Sequence, residues 1–339
     1  MNQKVILGLS GGVDSAVCAH ILKEQGYDVT GVYLDIGIGT PDDARAVAET
    51  AGIDFRVVDI RDALEEHVIT PWCNAYLSGQ TPNPCIFCNP TVKFKILFDA
   101  ADAIGADFVS TGHYARIETD ERGDAALLTA ASEKDQSYML HRLPKTWISR
   151  LIFPLGGFAD KETVREKARA YGIPVADKGD SMEICFIPDK DYAGFLEKRG
   201  ICPPEGDFVD ESGNVLGRHK GIHHYTVGMR RHLGIAAGKR IYVKAIDRDH
   251  DRVILADGDD VYVSRITVRD VNLLTDLPPL PYACAAKVRY SKATNPCVIE
   301  ALDGDTMTVA FDPPVRAPAP GQSAVFYCGN RVLGGGYIV

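Results

Sequence analysis

Six residues constrain this chain more than any others: Ser10-Gly11-Gly12-Val13-Asp14-Ser15. An apolar run, Val5 to Leu9, leads into them. Ala16 to Gln25 follows, with Val17, Ile21 and Leu22 at helical spacing. The pattern predicts a strand, a tight turn and a helix. Two glycines, having no Cβ, let backbone amides face inward. Ser15 is placed to cap the helix, whose amino end carries free N–H groups and partial positive charge. Such a turn holds a phosphate or pyrophosphate. It contains no lysine, so it is not the Gly-x4-Gly-Lys-Ser/Thr loop of kinases and GTPases. Asp14 instead offers a carboxylate to position Mg2+ on the phosphates. Two glycines before a helix are in themselves an ordinary turn; the whole hexapeptide at the carboxyl end of a first strand is far more specific.

The next hundred residues place that loop in a fold. Val29 to Leu34 reads as a second strand, Asp42 to Ala51 as a helix, and Phe55 to Asp59 as a third strand. Phe94 to Ile104 reads as a helix and Asp107 to Thr111 as a fourth strand. The alternation predicts an α/β domain with a parallel sheet covered on both faces. Ligands bind beyond the strand carboxyl ends of such sheets. The loop after Leu9, the end of Tyr33-Leu34, and Gly112-His113 all fall there. From Pro71 to Pro90 the prolines predict loop. Residues 133 to 200 read as mainly helical, Lys161 to Tyr171 most clearly, and a domain boundary is expected near Pro203-Pro204.

The formal net charge of −9 by itself argues against nucleic acid. Its distribution does not: from Gly217 to Lys244 come Arg218, Lys220, Arg230, Arg231, Lys239, Arg240 and Lys244 with no acidic residue between them. Lys and Arg set nucleic-acid affinity through phosphate contacts, and Tyr225 among them is a candidate to stack on a base. After Tyr242 the chain breaks into short strands: Tyr242–Ile246, Val253–Leu255, Ile266–Val271, Ala283–Arg289, Cys297–Ala301, Met307–Phe311, Ser323–Tyr327 and Val332–Ile338. Regular short strands without helices predict a small β-barrel. No stretch reaches the apolar length of a membrane span, and Met1-Asn2-Gln3-Lys4 runs straight into a strand, so no membrane partner or signal peptide is expected and the cytoplasm is.

Nine cysteines in such a protein point to metal, redox or sulfur chemistry rather than structural disulfides. Cys85-Ile86-Phe87-Cys88 lies among prolines and asparagines, and Cys185 lies within Asp180 to Ile187. Zinc commonly takes two Cys-x2-Cys pairs, and one is present. A thiol relay needs two cysteines that meet. An iron–sulfur cluster held by three thiolates leaves one iron open. Cys18, Cys284, Cys297 and Cys328 read as small core residues; Cys73 and Cys202 are isolated. His113, at the carboxyl end of the fourth strand, reads equally as a loop histidine and as a ligand-site residue; Lys134-Asp135-Gln136-Ser137-Tyr138 taken alone reads as a solvated helix start with Asp135 as its cap.

The hexapeptide resembles the pyrophosphate loop of the N-type ATP pyrophosphatases, which cleave ATP between the α and β phosphates. With Asn83-Pro84-x-x-x-Cys88-Asn89, Lys93-Phe94, Thr111 to Arg116, Lys134 to Tyr138, Ser181 to Ile187, Gly221-x-His223-x-Tyr225-Thr226-x-Gly228 and Gly321 to Tyr327, the chain resembles the tRNA-specific 2-thiouridylases. The resemblance implies an ATP pyrophosphatase domain over residues 1–203, with a helical tRNA-contacting part. A central basic domain over 204–264 and a tRNA-binding β-barrel over 265–339 follow. It implies that ATP adenylates the C2 oxygen of a wobble uridine and that sulfur then displaces AMP. A flipped-base pocket is expected.

By the same resemblance, Gly8, Leu9, Ser10, Gly11, Gly12, Val13, Asp14, Ser15, Leu34 and Gly112 match the ATP site. Asn83, Pro84 and Cys85 match the loop beside the target base, and His113, Lys134, Asp135, Gln136, Arg289, Tyr290 and Gln322 match tRNA contacts. Cys185 matches the persulfide carrier and Cys88 the nucleophile that attacks it. The partners implied are wobble-uridine tRNAs for Lys, Glu and Gln, and a sulfur donor such as a cysteine desulfurase, a relay protein or sulfide. Three departures stand out. Cys85 replaces an aspartate common in the family, which makes Cys85, Cys88 and Cys185 a candidate ligand set for a [4Fe-4S] cluster. Met229 replaces a glutamine, and Asp35 to Asp43 is short. Two other readings use fewer features: an ATP pyrophosphatase acting on a small molecule, and a non-catalytic RNA-binding protein that keeps ATP.

Overall fold

In a computed structural model, which describes residues 2–121, 123–176, 178–179, 184–236 and 238–339, the chain forms three sheets. The elements run β1 (Lys4–Gly8), α1 (Val13–Glu24), β2 (Asp28–Asp35), α2 (Asp42–Ala51), β3 (Asp54–Asp59), α3 (Arg61–Leu64), α4 (Thr70–Leu77), α5 (Pro84–Cys88), α6 (Phe94–Ile104) and β4 (Phe108–Thr111). A hairpin β5 (Ala115–Thr119) and β6 (Ala125–Thr129) follows, then β7 (Leu151–Ile152), α7 (Lys161–Ala170) and α8 (Tyr192–Lys198).

The first sheet has the order β3-β2-β1-β4-β7, and all of its pairs are parallel. Apolar strand residues bury on both faces: Leu7 and Leu9 against α1 and α2, Ile6 and Val109 against Leu97 and Phe98 of α6. Strand order reverses at β1, with β2 on one side and β4 on the other, which opens the crevice where α/β sheets bind ligands. Gly8 pairs with Val32 and Thr111, so the loops after β1 and β4 leave the sheet side by side.

The second sheet is built from β8 (Gly206–Val209), β9 (Val215–His219), β10 (Ile241–Asp247) and β11 (Arg252–Asp257), in the order β10-β11-β8-β9, around Phe208, Val243 and Val253. The third is built from β12 (Tyr262–Leu273), β13 (Tyr282–Lys287), β14 (Asn295–Asp303), β15 (Thr306–Arg316), β16 (Ser323–Cys328) and β17 (Arg331–Ile338). Its order is β12-β15-β14-β13-β16-β17, and pairing of β12 with β17 closes the expected barrel. Alternate residues such as Val268, Ile299, Val309 and Phe326 fill its interior.

Three expectations are corrected. The helix after the phosphate loop begins at Val13, with Gly12 as its cap; Ser15 lies inside the first turn. Pro71 to Pro90 is not loop throughout: Pro84 sits in the first turn of α5, where a missing N–H costs nothing, whereas Pro71 follows a π-helical segment, Glu65–Ile69, that runs from α3 into α4, and Pro90 lies in another, Asn89–Lys93, that runs from α5 into α6. Residues 133 to 200 hold less helix than expected: α7, α8 and two 3-10 turns, at Ser137–Leu140 and Lys145–Arg150, with loop between. The hairpin β5–β6, unread in the sequence, joins β17 of the barrel through Leu128 and Arg331. Within the Ser181 to Ile187 match, Ser181 to Glu183 lie outside the described residues. Among the described residues no helix is long and apolar enough to cross a membrane.

Candidate active site

The phosphate loop is held by its own hydroxyls. Ser15 Oγ lies 3.1 Å from Ser10 Oγ, accepts the Ser10 N–H at 3.2 Å and donates to the Gly12 carbonyl at 3.1 Å. Gly11 has φ +73°, and a Cβ there would lie 2.9 Å from Asp43 Cβ; an L side chain is strained in that region. Gly112 comes so near that a Cβ would stand 2.9 Å from the Ser15 nitrogen. The turn is therefore kept open by two glycines from different strand ends, as an amide-lined phosphate cradle requires. Leu9 and Val13 are buried anchors below the loop, and Leu34 packs at the end of β2.

Asp14 has partners that the sequence does not reveal. Lys161 Nζ donates to Asp14 Oδ1 at 2.5 Å, and Tyr114 Oη donates to the same oxygen at 2.7 Å. The Lys161 side chain is 11% exposed and that of Asp14 33%. The lysine missing from the loop thus arrives from the first residue of α7. No local signal links position 161 to position 14; the helix of Lys161 was legible, its role was not.

The thiols come from a second region. Asn83 caps α5 by accepting the Cys85 N–H at 3.1 Å. Cys85 and Cys88 stand one helical turn apart and share a face. Asn89 Nδ2 donates to the Met139 carbonyl at 2.7 Å, while Asn89 Oδ1 is buried without a hydrogen-bond partner among the described residues. Cys88 packs into the cluster that holds Trp72, Ile184 and Phe186, which brings the Cys185 segment alongside. Burial pushes the Cys88 thiol up to about 11, with Lys93 pulling it down and Cys185 and Cys85 pushing it further up. Burial also raises Cys185, and Cys85 adds to the rise. The structure therefore brings Cys85, Cys88 and Cys185 into one electrostatic neighbourhood around the Lys93 cation. Three soft sulfur donors are the chemistry of an iron–sulfur cluster or of a relay, but among the described residues their ligand atoms are not gathered within 4.8 Å of one another.

His113 links the two regions. It follows β4, its Nδ1 lies 2.7 Å from Thr111 Oγ1, and its ring stacks on Phe94 at 5.7 Å. Burial, with Lys93 nearby, holds it well below the usual imidazole range, so it is neutral at pH 7.

The expected tRNA-contacting residues gather at the barrel's lip, and most are engaged internally. Asp135 accepts from Ala130 N at 3.0 Å, Ser137 N at 3.1 Å and Ser137 Oγ at 2.9 Å. It also pairs with Lys287 Nζ at 3.1 Å, where both side chains are nearly buried. Gln136 Oε1 accepts the Tyr114 N–H at 3.0 Å, and Gln322 Nε2 donates to the Thr81 carbonyl at 2.5 Å. Arg289 donates to the Arg316 and Ala317 carbonyls. Tyr290 donates to the Asp135 carbonyl at 3.1 Å yet stays 46% exposed. The Lys134 backbone N–H donates to Ser132 Oγ at 3.0 Å. Two expectations need correction. Tyr225 cannot stack on a base as placed, because it is buried at 7% against the edge of Phe208. The basic run is partly neutralised: Arg218 pairs with Asp207, Lys239 with Asp257 and Lys244 with Glu211.

Family models match nearly the whole chain. A model described as the tRNA methyl transferase HUP domain matches residues 3–189, one described as the tRNA methyl transferase PRC-barrel domain residues 193–257, and one described as the aminomethyltransferase beta-barrel domain residues 263–338. A protein of Acetivibrio thermocellus is 43% identical over 358 residues, covering 99% of both chains. One of Clostridioides difficile is 41% identical, over 100% of this chain and 98% of the relative. One of Syntrophotalea carbinolica is 42% identical, over 99% of each. All three are named tRNA-specific 2-thiouridylase MnmA.

Proposed function

The chain belongs to the tRNA-specific 2-thiouridylase family, whose N-type ATP pyrophosphatase fold serves tRNA thiolation, and from that premise we propose how its own residues divide the reaction. The reaction begins on the phosphate loop. Amides of the loop and the start of α1 hold the phosphates of ATP, and Asp14 Oδ2, the oxygen not bonded to Lys161 and Tyr114, is the one to hold Mg2+. The C2 oxygen of a wobble uridine attacks the α-phosphorus, pyrophosphate leaves, and the C2–O bond becomes a C2–O–AMP bond. AMP is a far better leaving group than oxide.

Sulfur enters from the thiol side. Cys185, at the surface, takes a persulfide from the donor. The Cys88 thiolate attacks the inner sulfur, forming a Cys88–Cys185 disulfide and releasing HS−. HS− adds to C2, AMP leaves with the former C2 oxygen, and 2-thiouridine results; an external thiol reduces the disulfide. Cys88, raised to about 11, has to lose its proton first, and Lys93 is the cation that favours that loss. The observation that supports this reading is that Cys88 and the residues flanking Cys185, Ile184 and Phe186, pack in one cluster with Leu34 and Val58 from the ends of β2 and β3. Tyr290 and Lys134, at the rim, are assigned to tRNA. Asp135, Gln136, Arg289 and Gln322 shape that rim from beneath. The tRNAs are those for Lys, Glu and Gln, and the compartment is the cytoplasm.

A second reading is favoured by one observation: the Cys85 thiol acts electrostatically on both Cys88 and Cys185. These three would hold a [4Fe-4S] cluster, which when bound offers an open iron to sulfide.

The test is to incubate the chain with ATP, Mg2+, a sulfur donor and a wobble-uridine tRNA, then digest the tRNA and weigh its nucleosides. The reading expects 2-thiouridine and tRNA-dependent AMP. AMP formed equally without tRNA, and no thiolated base, would favour a small-molecule synthetase. Iron and sulfide analysis after anaerobic purification separates the two sulfur readings: bound iron assigns the cluster, and thiolation by an iron-free chain assigns the relay.

A further inference from the structure

Helix α8 meets the 3-10 turn Ile222–His224, whose residues the site described above does not use. Three side chains converge there. Glu197 comes from α8, and His223 and His224 are successive residues of the turn. Glu197 Oε1 lies 3.3 Å from His223 Nε2 and 3.3 Å from His224 Nε2. One ligand atom from each of the three lies within 4.8 Å of the others. The two imidazoles tilt together with centroids 4.2 Å apart, so both Nε2 atoms face the same oxygen. The His223 side chain is 2% exposed, and Glu197 and His224 close it from the solvent side.

The His223 contact is a hydrogen bond, and a long one. Charge-assisted N–H···O bonds sit at roughly 2.7–2.9 Å, and both contacts are longer. A tetrahedral metal with ligand bonds of about 2.1 Å places neighbouring ligand atoms about 3.4 Å apart. The two observed separations match that edge. We propose that Glu197, His223 and His224 form a divalent transition-metal site of the zinc class, with two imidazoles and one carboxylate as ligands and a water in the fourth position. Asp191 and Lys220 both lie near enough to act on His224 electrostatically, and their charges offset one another.

The ion would act as a clip. Leu196 and Phe195 of α8 pack with Phe186 and Ile187, the residues that follow Cys185. Ile222 and Tyr225, flanking the histidines, belong to the core of the second sheet. A metal on Glu197 and the two histidines fastens the Cys185 segment to that sheet. This proposal does not depend on the sulfur chemistry, since the ligands lie outside the thiol set.

The test strips the full chain with a chelator and titrates it with Zn2+, counting bound ions in the parent, Glu197→Gln and His224→Gln. Thiols also bind zinc, so the difference between chains is what counts. The parent is expected to hold one more ion than either variant, or to hold it at least about tenfold tighter. Its melting temperature should rise with Zn2+ in excess of the rise seen in either variant. Equal zinc content and equal affinity in all three chains would overturn the proposal. Independently of the variants, X-ray absorption of the zinc-loaded parent should show a nitrogen and oxygen shell with imidazole scattering; a shell of sulfur alone would overturn it as well.

Discussion

The phosphate loop and the thiol cluster are built in opposite ways. The loop is six consecutive residues whose shape follows from Gly11, Gly12 and two bonded hydroxyls. The thiols come from α5 and from a segment about a hundred residues later, and α5 is braced by Met139, Gln322 and Tyr337 from elsewhere in the chain. A contiguous site is carried by local backbone geometry. A dispersed one depends on how sheet, helices and barrel dock, and it is correspondingly easier to uncouple by distant substitutions.

Substitutions that strike one region and spare the other sharpen this contrast. The largest expected effect is from Cys185→Ser or Cys88→Ser: 2-thiouridine should fall to background while tRNA-dependent AMP release persists, both measured in the same reaction. Thiolation at the parental level in either variant would break the division of labour. Lys161→Met acts on the other side. It removes the cation bonded to Asp14 at 2.5 Å, and AMP release should fall roughly 10²–10³-fold, with alkylation rates of the thiols unchanged.

Lys287→Met probes the docking that the thiol side relies on. It leaves Asp135 nearly buried without its cation, at a cost of about 3–5 kcal/mol, less whatever the three remaining donors to Asp135 recover. Urea unfolding should show the loss. The smallest effect expected is in pH dependence. Cys88 is raised from 9.0 to about 11, so its thiolate at pH 7 is about a hundredfold scarcer than in a free cysteine. Alkylation mapped by mass spectrometry should accelerate as pH rises through about 11. The raised value favours the neutral thiol in the folded chain, so the associated stability is intact below pH 9 and declines between 9 and 11.

The same contrast explains what the sequence discloses. The loop is legible because its glycines and hydroxyls are neighbours, and the barrel strands because alternation marks them one at a time. Barrel closure by β12 and β17 and the docking of the hairpin Ala115–Thr129 onto β17 were not legible, since both are pairings between distant segments. Lys161 and Tyr114 escaped for the same reason: they reach Asp14 across 147 and 100 positions. Pro84 misled because proline suits first turns, and Pro71 and Pro90 because the helices there pass through π turns. Resemblance marked Asp135, Gln136, Arg289 and Gln322 for tRNA; the structure gives each an internal partner, which no motif records.

The most direct test counts AMP released per 2-thiouridine formed, on one tRNA carrying uridine and on the same tRNA carrying cytidine at the wobble position. If the loop and the thiols act in turn on a single base, the ratio is one to one with uridine, and neither product forms with cytidine. Equal AMP release on both tRNAs, or thiolation without AMP, would contradict the account.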